Sequence, residues 1–444
     1  MSRAATVFCC SACGQESPKW HGRCPGCGEW NTLAEETRAR APAASRRRPG
    51  RAVRPVALAD VEAPAIDRLH TGIGELDRVL GGGLVPGSLV LLGGSPGIGK
   101  STLTSAALGN VAASGRRVLY VSGEESAAQV KLRAARLGPR ALGVPIIAET
   151  DLEAVLATLE AERPDACVVD SVQVLYDSAL SGSPGSVGQV REVAGRLMRV
   201  AKERGTAVIL VGHVTKEGAI AGPRVLEHLV DCVLSFEGER ERAYRTLRAL
   251  KNRFGSTNEV GVFEMREHGL VEVEDASARF VSEATRAPGS VVLCAMEGSR
   301  PMLVEVQALV APSELVPPRR VANGVDRNRL ALILAVLARH GSIALGGSDV
   351  FVSLAGGVRV DEPGADLAIA LALASAAKGI GPSAETPLAA FGELGLTGEL
   401  RHAAHADRRL AEARKFGLTS VIHPAPGLAT LRAALRWSKQ AKAA

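Results

Sequence analysis

Three features are scarce or missing in this sequence of 444 residues. Phenylalanine, tryptophan and tyrosine together make up only 3% of it, so stacking on aromatic rings cannot be the main source of affinity for a nucleic acid. No run of about 18 uncharged apolar residues occurs, which predicts that no segment spans a membrane. The N-terminus lacks a charged stretch followed by an apolar one, so we expect no secretion and a cytoplasmic protein.

The chain is long enough to need more than one hydrophobic core, which predicts two or three domains. Its formal net charge of +6 is concentrated near the N-terminus, where residues 1–59 hold ten Lys or Arg and four Asp or Glu. The segment RARAPAASRRRPGRAVRP (38–55) is therefore either a basic arm for nucleic acid or a solvated linker between domains.

Four of the eight cysteines form two closely spaced pairs, Cys10-x2-Cys13 and Cys24-x2-Cys27. Four thiolates at this spacing suit tetrahedral zinc, and four protein ligands leave no open position, which predicts a structural metal site. Cys9 competes with Cys10 as a ligand, but the repeated spacing favours Cys10. The remaining cysteines lie in apolar stretches typical of a protein core: Cys167, Cys232 and Cys294.

A glycine-rich loop follows the apolar stretch SLVLLGG (88–94) and precedes a helix-forming segment. This strand–loop–helix context is that of a P-loop, whose backbone N–H groups and helix N-terminus hold phosphate oxygens. Lys100 is predicted to contact the β- and γ-phosphates of ATP, and the Ser101 hydroxyl to bind Mg²⁺. The predicted nucleotide-binding residues are Gly94, Ser95, Pro96, Gly97, Ile98, Gly99, Lys100, Ser101 and Thr102.

Acidic residues end two further strand-like stretches, RRVLYVSGEES (116–126) and DACVVDSVQ (165–173). Asp170 is predicted to hold Mg²⁺ together with Ser101, and Glu124 to activate the attacking water as a general base. Glu125 is the competing choice for the base, and the sequence leaves the two open. The alternative for these acids is a helix cap or a surface position.

Strand-like and helix-like stretches alternate here, which predicts an α/β fold with a parallel sheet and helices on both faces. Two Gly/Ser-rich loops, 178–192 and 215–228, are long for a compact domain and are predicted to be functional or disordered. Cations in such loops can follow a phosphate backbone without reading bases, with an affinity that weakens steeply as salt rises. The candidate DNA-binding residues are Arg191, Lys216 and Arg224.

Five segments together resemble the bacterial RadA family of RecA-like DNA repair ATPases: TGIGELDRVLGGGLVPGS, GGSPGIGKST, YVSGEES, VVDSVQ and KNRFG. The family's four-cysteine zinc finger is similar to CSACGQESPKWHGRCPGCGEWNTL. The resemblance implies a RecA-like P-loop ATPase core, a homo-hexameric ring, ATP as substrate, and Zn and Mg as cofactors. It also implies action on single-stranded and branched DNA in recombinational repair, with the RecA recombinase as a partner.

The resemblance also suggests a role for two cations in KNRFGS (251–256), Lys251 and Arg253, which alternation places on the same side of an extended chain. In RecA-like rings the nucleotide lies between subunits, and cations at these positions reach the phosphates of the neighbour. Lys251 and Arg253 are therefore implied to act catalytically in trans. The alternative is two solvated cations at a strand edge.

The chain from about residue 285 resembles the α+β proteolytic domain of Lon, a serine protease with a Ser-Lys dyad. In that likeness Ala365 occupies the serine position and Asp407 falls near the lysine position, so both nucleophile and amine base are missing. Ser353 and Ser375 lie nearby without a motif partner. Four basic residues either touch DNA or, as we favour, lie on a solvated helix face: Arg401, His402, Arg408 and Arg409.

The predicted domains are a zinc finger (1–34), a basic linker (35–60), a RecA-like ATPase domain (61–282) and a proteolytically inactive Lon-protease-like domain (283–444). The favoured function is a DNA-stimulated ATPase motor with helicase-like action on recombination intermediates. Two alternatives stay open. One is an ATP-dependent Lon-like protease, which the missing dyad opposes. The other is a RecA-like signalling or scaffold ATPase that does not bind DNA.

Overall fold

The computed structural model describes residues 5–10, 15–26, 28–38, 67–180, 182–214, 220–221, 225–238, 244–273, 275–282, 284–381 and 386–440. The chain forms two compact units. The first comprises Met1–Glu237, Leu247–Thr257 and Arg266–Glu272, and the second comprises Gly238–Thr246, Asn258–Met265 and Val273–Ala444. The chain therefore passes between the units several times, and the domain bounds given above stay a prediction.

A small antiparallel sheet lies near the N-terminus, with strands β1 (Ala5–Cys10), β2 (Glu16–Ser17) and β3 (Leu33–Arg38) in the order β2-β1-β3. Cys10 pairs with Leu33 across β1 and β3, and these two residues form a small buried cluster with Cys24. The sheet thus brings one cysteine from each predicted zinc pair into the same cluster.

The core of the first unit is a parallel sheet in the order β10-β4-β8-β7-β5-β6. Its strands are nearly continuous apolar runs, as expected for strands covered on both faces. They are β4 (Leu89–Gly94), β5 (Val118–Ser122), β6 (Ile146–Ala148), β7 (Ala166–Asp170), β8 (Ala207–Val214) and β10 (Cys232–Glu237); the short β9 (Ile220–Ala221) pairs with β8. The helices of this region are α1 (Gly74–Leu80), α2 (Lys100–Ala113), α3 (Ala127–Leu137), α4 (Pro139–Leu142), α5 (Leu152–Glu162), α6 (Val187–Arg204) and α7 (Val225–Leu229).

This arrangement confirms the predicted α/β, RecA-like fold. The P-loop strand β4 lies between β10 and β8, and the strands that end in the predicted acidic residues, β5 and β7, are neighbours. Beyond β10 the sheet continues through β11 (Tyr244–Asn252), β12 (Val260–Arg266) and β13 (Gly269–Glu272). Because the strands of a parallel sheet all end at one edge, the P-loop and the acidic residues share that edge.

Helix α6 shows that the predicted loop over 178–192 is too long. The helix begins at Val187, and apolar residues at helical spacing bury one face of it: Val187, Val190, Val193, Ala194, Leu197 and Ala201. Arg191 therefore lies on a helix and is exposed there, rather than in a loop. The valines between the Gly/Ser-rich stretch and Arg191 carry the helical period that the loop composition obscured.

The second unit holds a mixed sheet in the order β16-β17-β15-β14-β18-β21. Its strands are β14 (Ser290–Glu297), β15 (Arg300–Pro312), β16 (Arg320–Asn323), β17 (Ser348–Leu354), β18 (Ala389–Ala390) and β21 (Val421–Ile422), and β19 (Glu393–Leu394) pairs with β20 (Leu400–Arg401). The helices are α8 (Ala276–Ser282), α9 (Arg327–His340), α10 (Asp366–Lys378), α11 (Ala406–Lys415) and α12 (Leu431–Gln440). Residues 366–374 of α10 are all buried, because this apolar helix lies in the core of the unit. The C-terminal region is thus rich in sheet, and the predicted α+β class is confirmed.

Arg409 corrects the expectation of a solvated basic helix face. Its side chain is only 1% exposed and pairs with Glu362 through both terminal nitrogens. It also donates to the carbonyl oxygens of Cys294 (2.7 Å) and Ala404 (2.9 Å). By contrast Arg408, the preceding residue, is exposed. One of the four basic residues is therefore a core residue with its charge paired.

Among the helices of the described residues, none combines the length and hydropathy that crossing a bilayer requires.

Candidate active site

The loop between β4 and α2 has the backbone geometry of a phosphate-binding loop. Gly97 and Gly99 have φ values of 76° and 115°, which residues with a side chain rarely adopt. At Gly94 a Cβ would lie 2.7 Å from the carbonyl oxygen of Phe236, so a side chain there would collide with β10. These constraints explain three of the glycines, and Lys100, Ser101 and Thr102 form the first turn of the helix that follows.

Lys100 is folded back onto the loop. Its Nζ donates to the carbonyl oxygens of Gly94 (2.7 Å) and Ser95 (3.1 Å), and the residue is only 4% exposed. Burial lowers the pKa of Lys100, and the nearby charges of Asp170 and Glu124 partly oppose this effect. The ammonium group therefore lies within the field of both predicted catalytic carboxylates.

Asp170 is buried at the end of β7, opposite Ser122 at the end of β5. Its Oδ2 accepts a hydrogen bond of 2.5 Å from the Tyr120 hydroxyl, and Arg133 donates to the same hydroxyl at 3.0 Å. Burial raises the pKa of Tyr120, and the charge of Asp170 raises it further, so the phenol stays protonated. Sequence reasoning missed Tyr120 and Arg133. The available signal was a tyrosine within an aliphatic buried strand, where its hydroxyl needs a partner.

The two candidate bases have different partners. Glu124 accepts a hydrogen bond from the hydroxyl of Ser171, the residue next to Asp170. Glu125 instead forms an ion pair with Arg133 on α3. The charge of Glu124 partly opposes the effect of burial, which lowers the pKa of Lys100. Glu124 therefore lies near Lys100 and Asp170, whereas Glu125 contacts α3.

Lys251 and Arg253 both face the segment Glu227–Asp231 of their own chain. Lys251 Nζ donates to the carbonyl oxygens of Glu227 and Val230, each at 2.7 Å, at the C-terminal end of α7. Arg253 Nη1 lies 3.3 Å from Asp231 Oδ1, while its side chain is 54% exposed. Strand β11 ends at Asn252, so Arg253 lies beyond the strand and not within it.

The candidate DNA-binding residues are only partly described. Arg191 is exposed on α6, in the second turn of the helix. Lys216 and Arg224 lie outside the described residues, as do most of the residues between β8 and α7. The structure therefore locates one of the three predicted cations.

The cysteine cluster fits a thiolate metal site as far as it is described. Cys10 and Cys24 are both buried, and the Gly26 N–H lies 3.3 Å from Cys24 Sγ. A backbone N–H aimed at sulfur stabilises a thiolate and orients it for a metal. Gly28 has a φ of 77°, which the tight turn after the second pair requires. Cys13 and Cys27 lie outside the described residues.

Comparison with known proteins bears on both sites. A protein-family model described as an AAA domain matches residues 53–219, and a second family model, described as a rubredoxin metal binding domain, matches residues 8–35. The DNA repair protein RadA of Bacillus subtilis is 48% identical over 434 residues, covering 96% of this chain and 94% of the relative. RadA of Pseudomonas aeruginosa is 50% identical over 427 residues, covering 96% and 94%. The chain belongs to the bacterial RadA family. RadA of Aquifex aeolicus is 49% identical over 426 residues, again covering 96% of this chain and 94% of the relative.

Membership of the RadA family makes this chain a DNA repair protein with an ATPase domain and a zinc ribbon. The AAA-domain match includes the P-loop, Glu124 and Asp170, and the rubredoxin match includes all four cysteines of the two predicted pairs. A solved KaiC-like protein, PH0186 of Pyrococcus horikoshii OT3, is 22% identical, with a TM-score of 0.39, and covers 47% of this chain and 99% of its own. This likeness is too low to support the fold, so the fold assignment rests on the strand order described above.

Proposed function

We propose that this RadA family member is a DNA-stimulated ATPase motor that acts on single-stranded DNA and branched intermediates in recombinational repair. The observation that supports this most is the cluster of Lys100, Asp170 and Glu124 at one edge of a parallel sheet, directly beside a P-loop. A lysine, a buried carboxylate and a second carboxylate next to a phosphate-binding loop are the groups that ATP hydrolysis needs.

Each side chain in the cluster has a proposed role in hydrolysis. The loop amides from Gly94 to Thr102 bind the phosphates, and Lys100 exchanges the carbonyl oxygens of Gly94 and Ser95 for β- and γ-phosphate oxygens. Ser101 and Asp170 would hold Mg²⁺, which when bound neutralises phosphate charge. Glu124 accepts the proton of the attacking water, because it is the candidate base beside Asp170 and Lys100, whereas Glu125 is paired with Arg133.

Lys251 and Arg253 are proposed to complete the site of a neighbouring subunit in a homo-hexameric ring. Charge that develops on the γ-phosphate needs more neutralisation than one P-loop lysine supplies, and a cation from another subunit can contribute orders of magnitude in rate. Arg253 supports this role because most of its side chain is exposed. Lys251 would have to exchange its present carbonyl partners for phosphate oxygens.

DNA binding is proposed to be electrostatic and to involve Arg191, Lys216 and Arg224. Few aromatic residues are present to stack bases, so affinity should come from phosphate contacts. The RecA recombinase is the proposed protein partner. Cys10, Cys13, Cys24 and Cys27 are proposed to bind one structural zinc ion.

The C-terminal region is proposed to be a Lon-protease-like scaffold without proteolytic activity. Ala365 is buried and carries no nucleophile, and Asp407 supplies no amine. Beside Ala365, Glu362 is paired with Arg409, a fully hydrogen-bonded arrangement typical of a structural ion pair. The domain bounds predicted from the sequence, 1–34, 35–60, 61–282 and 283–444, are part of this proposal.

The test is the rate of ATP hydrolysis as single-stranded DNA is added at a low and a high salt concentration. We expect DNA to raise the rate, with a half-saturating concentration that increases steeply with salt. Lys100→Ala should remove turnover under all conditions, whereas Lys202→Ala, on the exposed face of α6, should retain it. Absence of stimulation at both salt concentrations would overturn the motor function and leave the scaffold ATPase as the alternative.

A further inference from the structure

The buried carboxylate of Asp170 is fixed by a tyrosine on the adjacent strand. We propose that Tyr120 is a positioning residue that orients Asp170 for the magnesium ion of the nucleotide, and that Arg133 sets the direction of the Tyr120 hydroxyl. This inference rests on the proposed function, because it takes Asp170 as a group that holds Mg²⁺.

Register and burial bring the two side chains together. Tyr120 lies opposite Val168 in the pairing of β5 with β7, two residues before Asp170, and only 2% of its surface is exposed. Its hydroxyl oxygen is 2.5 Å from Asp170 Oδ2, the short distance typical of a hydroxyl donating to a carboxylate. A hydrogen bond of this length away from water restricts rotation of the carboxylate.

Arg133 determines which way the hydroxyl points. Arginine can only donate, so its Nη2, 3.0 Å from the Tyr120 oxygen, occupies that oxygen as an acceptor. The phenolic proton is then directed to Asp170. The other terminal nitrogen of Arg133 pairs with Glu125, which holds the guanidinium in place. The described residues thus form a chain of contacts from Glu125 through Arg133 and Tyr120 to Asp170.

The result is a carboxylate with one oxygen occupied and one available. Asp170 Oδ2 accepts from Tyr120, and among the described residues no hydrogen bond involves Oδ1. A cation that binds Asp170 needs one oxygen in a fixed direction, and a carboxylate already oriented loses less freedom on binding. Tyr120→Phe keeps the ring in the core and removes only the hydroxyl. The variant therefore distinguishes a positioning role of the hydroxyl from a packing role of the ring.

The test measures binding of a fluorescent ADP analogue in Mg²⁺ and in EDTA, without turnover. We expect the unaltered protein to bind the analogue more tightly in Mg²⁺ than in EDTA. In Tyr120→Phe the ratio of these two affinities should be about tenfold smaller, since a hydrogen bond to a charged group is removed. Affinity in EDTA should not change. Tyr244→Phe is the matched control, because the hydroxyl of Tyr244 also accepts from an arginine, Arg279, at 2.7 Å, but lies in the second unit.

Each of the following outcomes would decide against the inference. Equal loss of affinity in Mg²⁺ and EDTA would mean that Tyr120 only supports the loop, and no loss in either would mean that the hydroxyl is dispensable. If the unaltered protein itself showed no Mg²⁺-dependent tightening, the proposed nucleotide site would fail together with the inference. If Tyr120→Phe did not fold, Arg133→Gln would be measured instead, with a smaller loss of Mg²⁺-dependent tightening expected and no loss counting against the inference.

Discussion

The P-loop edge of the first unit and two ion pairs of the second unit hold charged side chains in different ways. At the sheet edge of the first unit, Lys100 is bonded to loop carbonyl oxygens, and Asp170 has one carboxylate oxygen outside any hydrogen bond with the described residues. In the second unit, Arg409 pairs with Glu362 and Arg329 pairs with Asp366, each guanidinium bonded to both carboxylate oxygens.

The partners of these charges decide whether a ligand can bind: the surroundings of Lys100 and Asp170 can accept one, and the ion pairs of the second unit cannot. A phosphate can replace the carbonyl oxygens of Gly94 and Ser95 at Lys100, because these two acceptors carry no net charge. A ligand that displaced Asp366 from Arg329 would leave a buried carboxylate without its arginine, at a cost of several kcal/mol. The arrangement at Lys100 and Asp170 can therefore exchange its partners for a ligand, whereas the ion pair of Arg409 and Glu362 cannot do so without loss of stability.

The largest effect is expected at the nucleotide site, which we propose is completed by a neighbouring subunit. Lys100→Ala and Lys251→Ala should each lower ATP turnover by about a thousandfold or more, as loss of a phosphate-binding cation does. When the two variants are mixed and allowed to exchange subunits, interfaces that unite an intact Lys100 with an intact Lys251 should form. About a quarter of the sites in a random mixture would be of this kind, if each site is shared by two neighbours in a head-to-tail ring.

The control for this mixture is Lys100→Ala with the double variant Lys100→Ala/Lys251→Ala, in which no interface can regain an intact Lys100. Recovery in the first mixture and none in the control would support the shared site. A first mixture as inactive as its components would contradict it, provided that subunit exchange is verified by a labelled protomer.

A smaller effect, on stability, is expected in the second unit. Arg409→Ala should lower the free energy of unfolding by about 3–5 kcal/mol, because Glu362 loses its arginine partner and the buried carbonyl oxygen of Cys294 loses a donor. Arg408→Ala, the exposed neighbour, should change it by no more than about 0.5 kcal/mol. Urea unfolding followed by circular dichroism measures both. Similar values for the two variants would mean that the ion pair of Arg409 contributes little to stability.

The smallest effect distinguishes the adjacent glutamates. Glu124→Gln should lower turnover by about a hundredfold while leaving nucleotide binding intact, since a general base contributes at least that much. Glu125→Gln loses only a partly exposed ion pair with Arg133, so turnover should fall by no more than about fivefold. Steady-state ATP hydrolysis with parallel binding measurements tests the pair. The reverse order of effects would assign the base to Glu125.

Local sequence predicted the parts of the site that are built from consecutive residues. The P-loop glycines, Lys100 and the first turn of α2 depend on backbone geometry within nine residues, and the apolar strand before them determines where the loop begins. Asp170 and Glu124 were predicted because a parallel sheet brings the ends of its strands together. The order of strands could not be read from the sequence with the same ease, since it depends on which helices cover which face.

Contacts between distant residues were not predictable in this way. The partner of Arg409 is 47 residues away, and helical spacing alone cannot distinguish a solvated arginine from one that enters the core. Similarly, Tyr120 reaches Asp170 across 50 residues. The prediction that Arg191 lies in a loop was wrong for a different reason. The Gly and Ser residues before Val187 indicated a loop, but α6 begins at Val187 and its valines are buried.

The ammonium group of Lys251 can make few contacts at once. It has three N–H donors, and two of them hold the carbonyl oxygens of Glu227 and Val230 at the end of α7. One donor is left for an incoming phosphate, and a phosphate that took a second one would displace a carbonyl oxygen at the end of α7. The stretch that carries Lys216 and Arg224 leads directly into that helix. A phosphate bound by more than one donor of Lys251 would therefore compete with the end of α7, which would link nucleotide binding to the position of that helix.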